Sequence, residues 1–138
     1  MLNAIFFYRI ARFFYLHKVP FISKIIELLI FLVYNSRIPS SCIIGKGTKF
    51  AYGGIACVIH ARSVIGANVK IGTNVTVGGR SGHYEVPVIG DNVYIATGAK
   101  VLGPIKIGNN AVIGANAVVI HDVEENAVVG GIPAKPLK

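Results

Sequence analysis

Proton-transfer chemistry is available at three places in this 138-residue chain, His60, His83 and His121. An imidazole with its ordinary pKa near 6.5 takes up a proton and returns it at neutral pH. His17, the fourth histidine, stands in an amino-terminal segment far in sequence from the others and reads as a surface residue. No two of the four are close in sequence, which argues against the three-ligand centre of a zinc enzyme, and no metal is expected. Cys42 and Cys57 are the only cysteines and share no paired spacing, so neither a disulfide framework nor a zinc knuckle is indicated. The surroundings of His83 are the richest: "GGRSGHYE", residues 78–85, offers two glycine amides, Arg80, Tyr84 and, two residues past the histidine, Glu85. A carboxylate on the second ring nitrogen orients a basic imidazole, and Glu85 is the best placed of the few acids to do so. His60, in "VIHARSV", is the other candidate base.

The positions of these residues depend on the rhythm around them. From Ile44 an aliphatic or aromatic residue recurs every six positions, first in "IGKGTK" and "FAYGGI". After a shift at Ala56–Val58 the series resumes at Ile59 and runs through "IGANVK", "IGTNVT", "IGDNVY" and "IGNNAV" to "VIHDVE". A period of six matches neither the 3.6-residue helix nor a flat alternating strand, but it does match a coil of short strands joined by turns. In each unit the first residue points inward, the second is small and sits at a corner, and the fifth is small or β-branched. An isolated unit cannot bury its aliphatic residue, so successive turns must stack. "HYEVPV" alone lacks the aliphatic first residue. Burying His83 unpaired in an aliphatic column would cost about 1–3 kcal/mol, so residues 79 to 86 are expected to leave the wall as an exposed loop. His60 takes a corner where most units have glycine, and a ring there stands out from the wall.

The first 40 residues follow another pattern. Residues 2–18 and 20–35 read as two helices, with Pro20 suited to a first helical position. Arg9 and Arg12 share one side against Phe6, Phe7, Phe13 and Phe14, a combination that can lie in a membrane interface, while packing against the protein or a sister subunit is the plainer reading. Charged residues interrupt every apolar run, so no spanning helix is expected. The net charge of +8 is spread along the chain without a dense basic cluster, which argues against nucleic acid and for an anionic small molecule or lipid headgroups. Hydrophobic residues make up 53% of the chain, enough for one domain with a real core, and no secretory signal pattern is present. The expected organisation is a helical segment over 1–40 and a repeat domain over 41–138, in the cytoplasm or at the inner face of its membrane.

The hexads resemble the hexapeptide-repeat, left-handed parallel β-helix family, in which three units make one triangular coil; here they imply a mainly β chain of about four coils after two helices. "NVTVGGRSGH" (74–83), "PVIGDNVYIATGAKVLGPIKIGNNAVIGANAVV" (87–119) and "VVGGIPAK" (128–135) narrow the resemblance to the serine acetyltransferase and sugar O-acetyltransferase branch. It implies transfer of an acetyl group from acetyl-CoA to a hydroxyl, with the cosubstrate in a groove between neighbouring prisms of a homotrimer. Carried over position by position, the small residues along the pantetheine arm are Thr97 with Gly98 and Ala115, and Lys135 is the basic residue for a CoA phosphate. Where many members of the family read Thr-Lys-Asp after the final "VV", this chain reads Ile120-His121-Asp122, and His121 reads equally as a phosphate contact or a solvated residue.

Such a transfer needs a base for the alcohol proton, a donor for the developing oxyanion and exclusion of water. His83, a similar distance after "NVT" as the family's catalytic histidine, and His60 are the candidate bases, with Glu85 as orienting carboxylate and Tyr52, Arg80 and Tyr84 to grip the acceptor. The serine acetyltransferase histidine would fall near Tyr52 or Gly53, where this chain has none. The compact helical start therefore favours a sugar acceptor in surface polysaccharide assembly, with L-serine as the alternative. A γ-class carbonic anhydrase lacks its close histidine pair here, and a scaffold without turnover would be indifferent to loss of His83 and His60.

Overall fold

The computed structural model describes residues 2–137. Among the described residues, fourteen short strands, two α-helices and one short 3-10 turn (Ala51–Gly53) account for the regular structure. Strands β1 (Ile43–Ile44), β4 (Val64–Ile65), β7 (Val88–Ile89) and β10 (Lys106–Ile107) form one parallel sheet. A second holds β2 (Lys49–Phe50), β5 (Lys70–Ile71), β8 (Tyr94–Ile95), β11 (Val112–Ile113) and β13 (Val128–Gly130), closed by an antiparallel β14 (Lys135–Pro136). The third holds β3 (Val58–Ile59), β6 (Thr76–Gly78), β9 (Lys100–Leu102) and β12 (Val118–Val119). From β1 to β12 every third strand returns to the same sheet, so the chain winds as a three-faced parallel β-helix of about four turns.

The registers explain the period of six. Ile44 pairs with Ile65 and Ile65 with Ile89, while Ile71 pairs with Ile95 and Val77 with Val101, so like side chains stack in columns. All of these are buried, as are the fifth residues of the units, including Val69, Val75, Ala99 and Ala111. Each turn thus adds one aliphatic residue per face to a continuous core, which is what keeps two-residue strands together.

The corners carry a second signal that the hexad reading did not use. Asn68, Asn74, Asn92, Asn110, Asn116 and Asn126 all have positive φ, at the fourth position of their units, and Gly47 and Gly98 occupy the same place in theirs. Asparagine tolerates the left-handed region better than other side chains, and glycine is free in it. The second position turns on space: a Cβ at Gly72 would lie 2.6 Å from the Thr97 backbone nitrogen.

Helices α1 (Ala4–Leu16) and α2 (Pro20–Tyr34) pack together and on the first turn of the prism. Asn3 caps α1, accepting from Ile5 N at 3.1 Å, and its amide nitrogen donates to the Phe50 carbonyl at 2.7 Å. Ala4, Tyr8 and Ala11 form the buried stripe, and Gly54 is bare where it faces Ala4. Arg9 and Arg12 turn to the protein itself, in keeping with the plainer of the two readings the sequence allowed. Arg9 donates to the carbonyls of Ile44 and Gly45, and Arg12 to those of Ser40, Ser41 and Cys42. Both guanidiniums therefore satisfy the open lower edge of the β-helix, where carbonyls have no coil beneath to pair with. Glu27 of α2 accepts from the Ser40 amide at 3.1 Å and hydroxyl at 2.5 Å and pairs with Arg37, which ties the second helix to the same edge.

Candidate functional site

Because β3, β6, β9 and β12 stack in one sheet, the segments that follow them stack along one edge of the prism. That edge carries His60 after β3, the loop 79–86 after β6, Gly103–Pro104 after β9 and His121 after β12. Three of the four histidines thus share an edge although the sequence scatters them.

The loop after β6 leaves the wall as expected. Residues 79–85 are exposed, and Val86 and Pro87 are buried where the chain rejoins β7. A turn closes over Arg80–His83, with His83 N donating to Arg80 O at 3.1 Å and Gly82 at φ +84°. A positive φ at the third residue of such a turn calls for glycine, and "RSGH" supplies it. Arg80 lies across the next coil against Gly103, whose missing side chain gives it room.

His60 is half-buried under the start of this loop. Its Nδ1 accepts the Arg62 backbone N–H at 3.0 Å, while its Cδ2–Nε2 edge faces Gly79, where a Cβ would lie 4.0 Å from Nε2. Burial, and then the positive charge of Arg62, hold its pKa below the ordinary histidine value. The Arg62 side chain reaches up to the loop: its Nη2 donates to the Tyr84 carbonyl at 2.5 Å, and the guanidinium sits 4.0 Å from the Tyr84 ring centroid. One arginine therefore joins the corner of His60 to the loop of His83. The sequence reading missed it because no periodic signal marks a contact between residues 62 and 84. Tyr84 and Glu85 line a shallow groove with Arg62, Val86 and Lys106. Glu85 is exposed and makes neither a hydrogen bond nor an ion pair with His83 among the described residues, so an orienting role would need the loop to move.

The remaining expected residues lie elsewhere. Tyr52 stands out from a short turn after β2, 74% exposed and at φ +50°, on the edge that also bears Thr97, Gly98 and Ala115. There the Thr97 hydroxyl meets that of Thr73 at 2.9 Å, so two threonines of successive coils form one small ledge. His121 and Lys135 line a common depression at the end of the prism with Asp122, Glu124 and Ala134. A single protomer therefore separates the histidine edge from the ledge of small residues. The two cysteines are buried and free, and burial pushes the Cys42 thiol up to about 12. Burial raises the Cys57 thiol too, which disfavours the thiolate, the nucleophilic form, at both.

A fold of stacked hexads with a histidine-bearing loop at one edge is similar to that of the hexapeptide-repeat transferases, and the structural neighbours are left-handed β-helices. The family model "Bacterial transferase hexapeptide (six repeats)" matches residues 87–121. Within the family the similarity is to serine acetyltransferases. That of Bacillus pumilus (strain SAFR-032) is 39% identical over 136 residues, covering 97% of this chain and 62% of the relative. That of Staphylococcus aureus (strain N315) is 39% identical over 139 residues, covering 99% of this chain and 65% of the relative. Among solved structures, soybean serine acetyltransferase complexed with serine superposes with a TM-score of 0.90 at 34% identity, over 97% of this chain and 56% of that one. A serine acetyltransferase in complex with CoA gives 0.88 at 33% identity, over 97% and 55%. The chain spans less than two thirds of the length of these relatives.

Proposed function

We propose that the chain is an acetyl-CoA-dependent O-acetyltransferase that works as a homotrimer in the cytoplasm. The observation that carries this reading is the division of the expected site between two edges of one prism: histidines on one, the Thr73–Thr97–Ala115 ledge on the other. A ligand as long as CoA can lie along the ledge of one copy and present its thioester to the histidine edge of the next. The exposed apolar side chains of the wall, among them Ile43, Val58 and Val88, are the kind of surface a neighbouring prism covers. Lys135 then meets a CoA phosphate as a point charge.

In the reaction an imidazole takes the proton of the acceptor hydroxyl as its oxygen attacks the thioester carbonyl. The C–O bond forms, a tetrahedral oxyanion collapses with cleavage of C–S, and the imidazolium returns its proton to the departing thiolate.

For the acceptor, the similarity favours L-serine over the sugar that the short helical start suggested: relatives at 39% identity bear the name serine acetyltransferase, and the soybean structure is complexed with serine. One observation keeps a sugar as the second reading. Tyr52–Gly53 stand where the resemblance would put the serine acetyltransferase histidine, and an exposed tyrosine is a platform for a pyranose face. Thiol release from acetyl-CoA, measured with L-serine and with a panel of sugars, separates the two. Release with L-serine supports the first reading, release with sugars only supports the second, and release with neither overturns both.

The helices suggest where the reaction takes place. Phe6 and Phe13 of α1, and Phe21, Ile25, Leu28 and Leu32 of α2, all point away from the prism and are exposed, with Lys18 and Lys24 beside them. An anionic bilayer surface fits this face, because among the described residues of the two helices the only acid is Glu27, which is turned inward to Ser40 and Arg37. No described helix is long and apolar enough to cross a membrane.

A further inference from the structure

The two candidate bases are not equivalent, and the hydrogen bond at His60 distinguishes them. A backbone N–H can only donate, so the Nδ1 atom that faces Arg62 N at 3.0 Å must carry the lone pair. A neutral imidazole has one proton, and with Nδ1 accepting, that proton sits on Nε2. We infer that His60 serves the reaction as a hydrogen-bond donor, through Nε2–H, to the oxyanion that develops on the thioester carbonyl, and that removal of the alcohol proton falls to His83. The inference rests on the acetyl-transfer reading above and divides the work within it.

Three further observations agree. To act as base at Nε2, His60 would need the other tautomer, which turns Nδ1–H against Arg62 N–H and forfeits that bond. Rotating the ring by half a turn replaces Nδ1 with a carbon at the same place and also forfeits it. The charged form is disfavoured as well, by burial and then by the charge of Arg62. The titratable and charged groups on the loop packed over it are Arg80, His83, Tyr84 and Glu85, all exposed. The Nε2 edge, finally, faces the bare Gly79 at the root of the loop that carries His83. No proton leaves His60 in any step. It strengthens its hydrogen bond as charge builds on oxygen and relaxes when C–S breaks.

Arg62 is a positioning residue in this arrangement. Its backbone fixes the tautomer, and its side chain holds the loop through Tyr84. Arg62→Ala keeps the first function and loses the second.

The tautomer can be read without turnover, from a long-range 1H–15N spectrum of the full chain at neutral pH with His60→Gln as the assignment control. The expected result is Nε2 protonated and Nδ1 not, in the wild type and in Arg62→Ala alike. An unprotonated Nε2 overturns the inference, whatever the activity. In turnover, His60→Gln, whose amide nitrogen can stand near the lost Nε2–H, is expected to keep most of kcat. His60→Ala is expected to lose about 10²–10³-fold, as for other removed oxyanion donors, and the glutamine failing as badly as the alanine overturns the inference. Absence of thiol release by the wild type with every acceptor overturns the acetyl-transfer reading and the role of His60 with it.

Discussion

His83 is exposed and its ring makes no hydrogen bond to the fold among the described residues, so removing it is expected to touch turnover and spare stability. His83→Ala should lower kcat/KM by about 10²–10⁴-fold, the usual worth of a general base, at an unchanged melting temperature; activity assays and a thermal melt on one preparation check both halves. The cysteines give the opposite case. Burial holds the Cys42 thiol at about 12 and raises that of Cys57, so thiolate, the reactive form, is scarce at neutral and mildly alkaline pH. Iodoacetamide at pH 8 should leave both unmodified in the folded chain and label both in denaturant. Labelling of the folded chain would contradict the burial described here. His60, His83 and their neighbours were visible in the sequence as candidates. Their division of labour was not, because a tautomer is set by one backbone N–H that only the folded corner brings to Nδ1.

At the scale of the coil, glycine positions differ in what they demand. Gly98 has φ +75°, and a side chain there would overlap the Asn116 amide of the next turn, whereas Gly82 has φ +84° with nothing near it. Gly98→Ala should therefore cost both the left-handed backbone, about 1–2 kcal/mol, and an overpacking penalty of about 1–3 kcal/mol. Gly82→Ala should cost the backbone part alone and fall on the loop, reducing turnover more than global stability. Chemical denaturation midpoints of the two variants test the contrast. The inward hexad positions were legible because a period of six leaves its mark at every turn: all the aliphatic first residues from Ile44 to Val119 are buried. The asparagines at the fourth position carried an equally regular signal, a left-handed corner, that the hexad reading passed over in favour of the glycines at the second. What Arg9 and Arg12 bind was not legible for a different reason. Their partners are main-chain carbonyls about 30 residues downstream, and a helix judged on its own composition gives no sign that such carbonyls lie bare at the foot of a β-helix. For α1 and α2 the corresponding test is flotation with anionic vesicles. The wild type should float, while Phe21→Ser with Leu28→Ser should not and should still melt as one unit; the wild type remaining in the pellet would contradict bilayer contact.

The expected site residues lie on two different edges of one protomer, so on the proposed reading assembly would be part of the chemistry. A trimer in solution, seen by sedimentation, is the first requirement. A mixed assembly is the sharper one: His83→Ala copies co-assembled with copies whose ledge is filled by Ala115→Trp should regain turnover that neither variant has alone, since some interfaces then pair an intact histidine edge with an intact ledge. The measurement that meets the central claim most directly is a crystal structure of the full chain with CoA. It is predicted to show the CoA sulfur between two copies, with the imidazole of His83 on one side and the Nε2 edge of His60 on the other, both within hydrogen-bond reach of the reacting atoms. A CoA sulfur remote from both rings would contradict it.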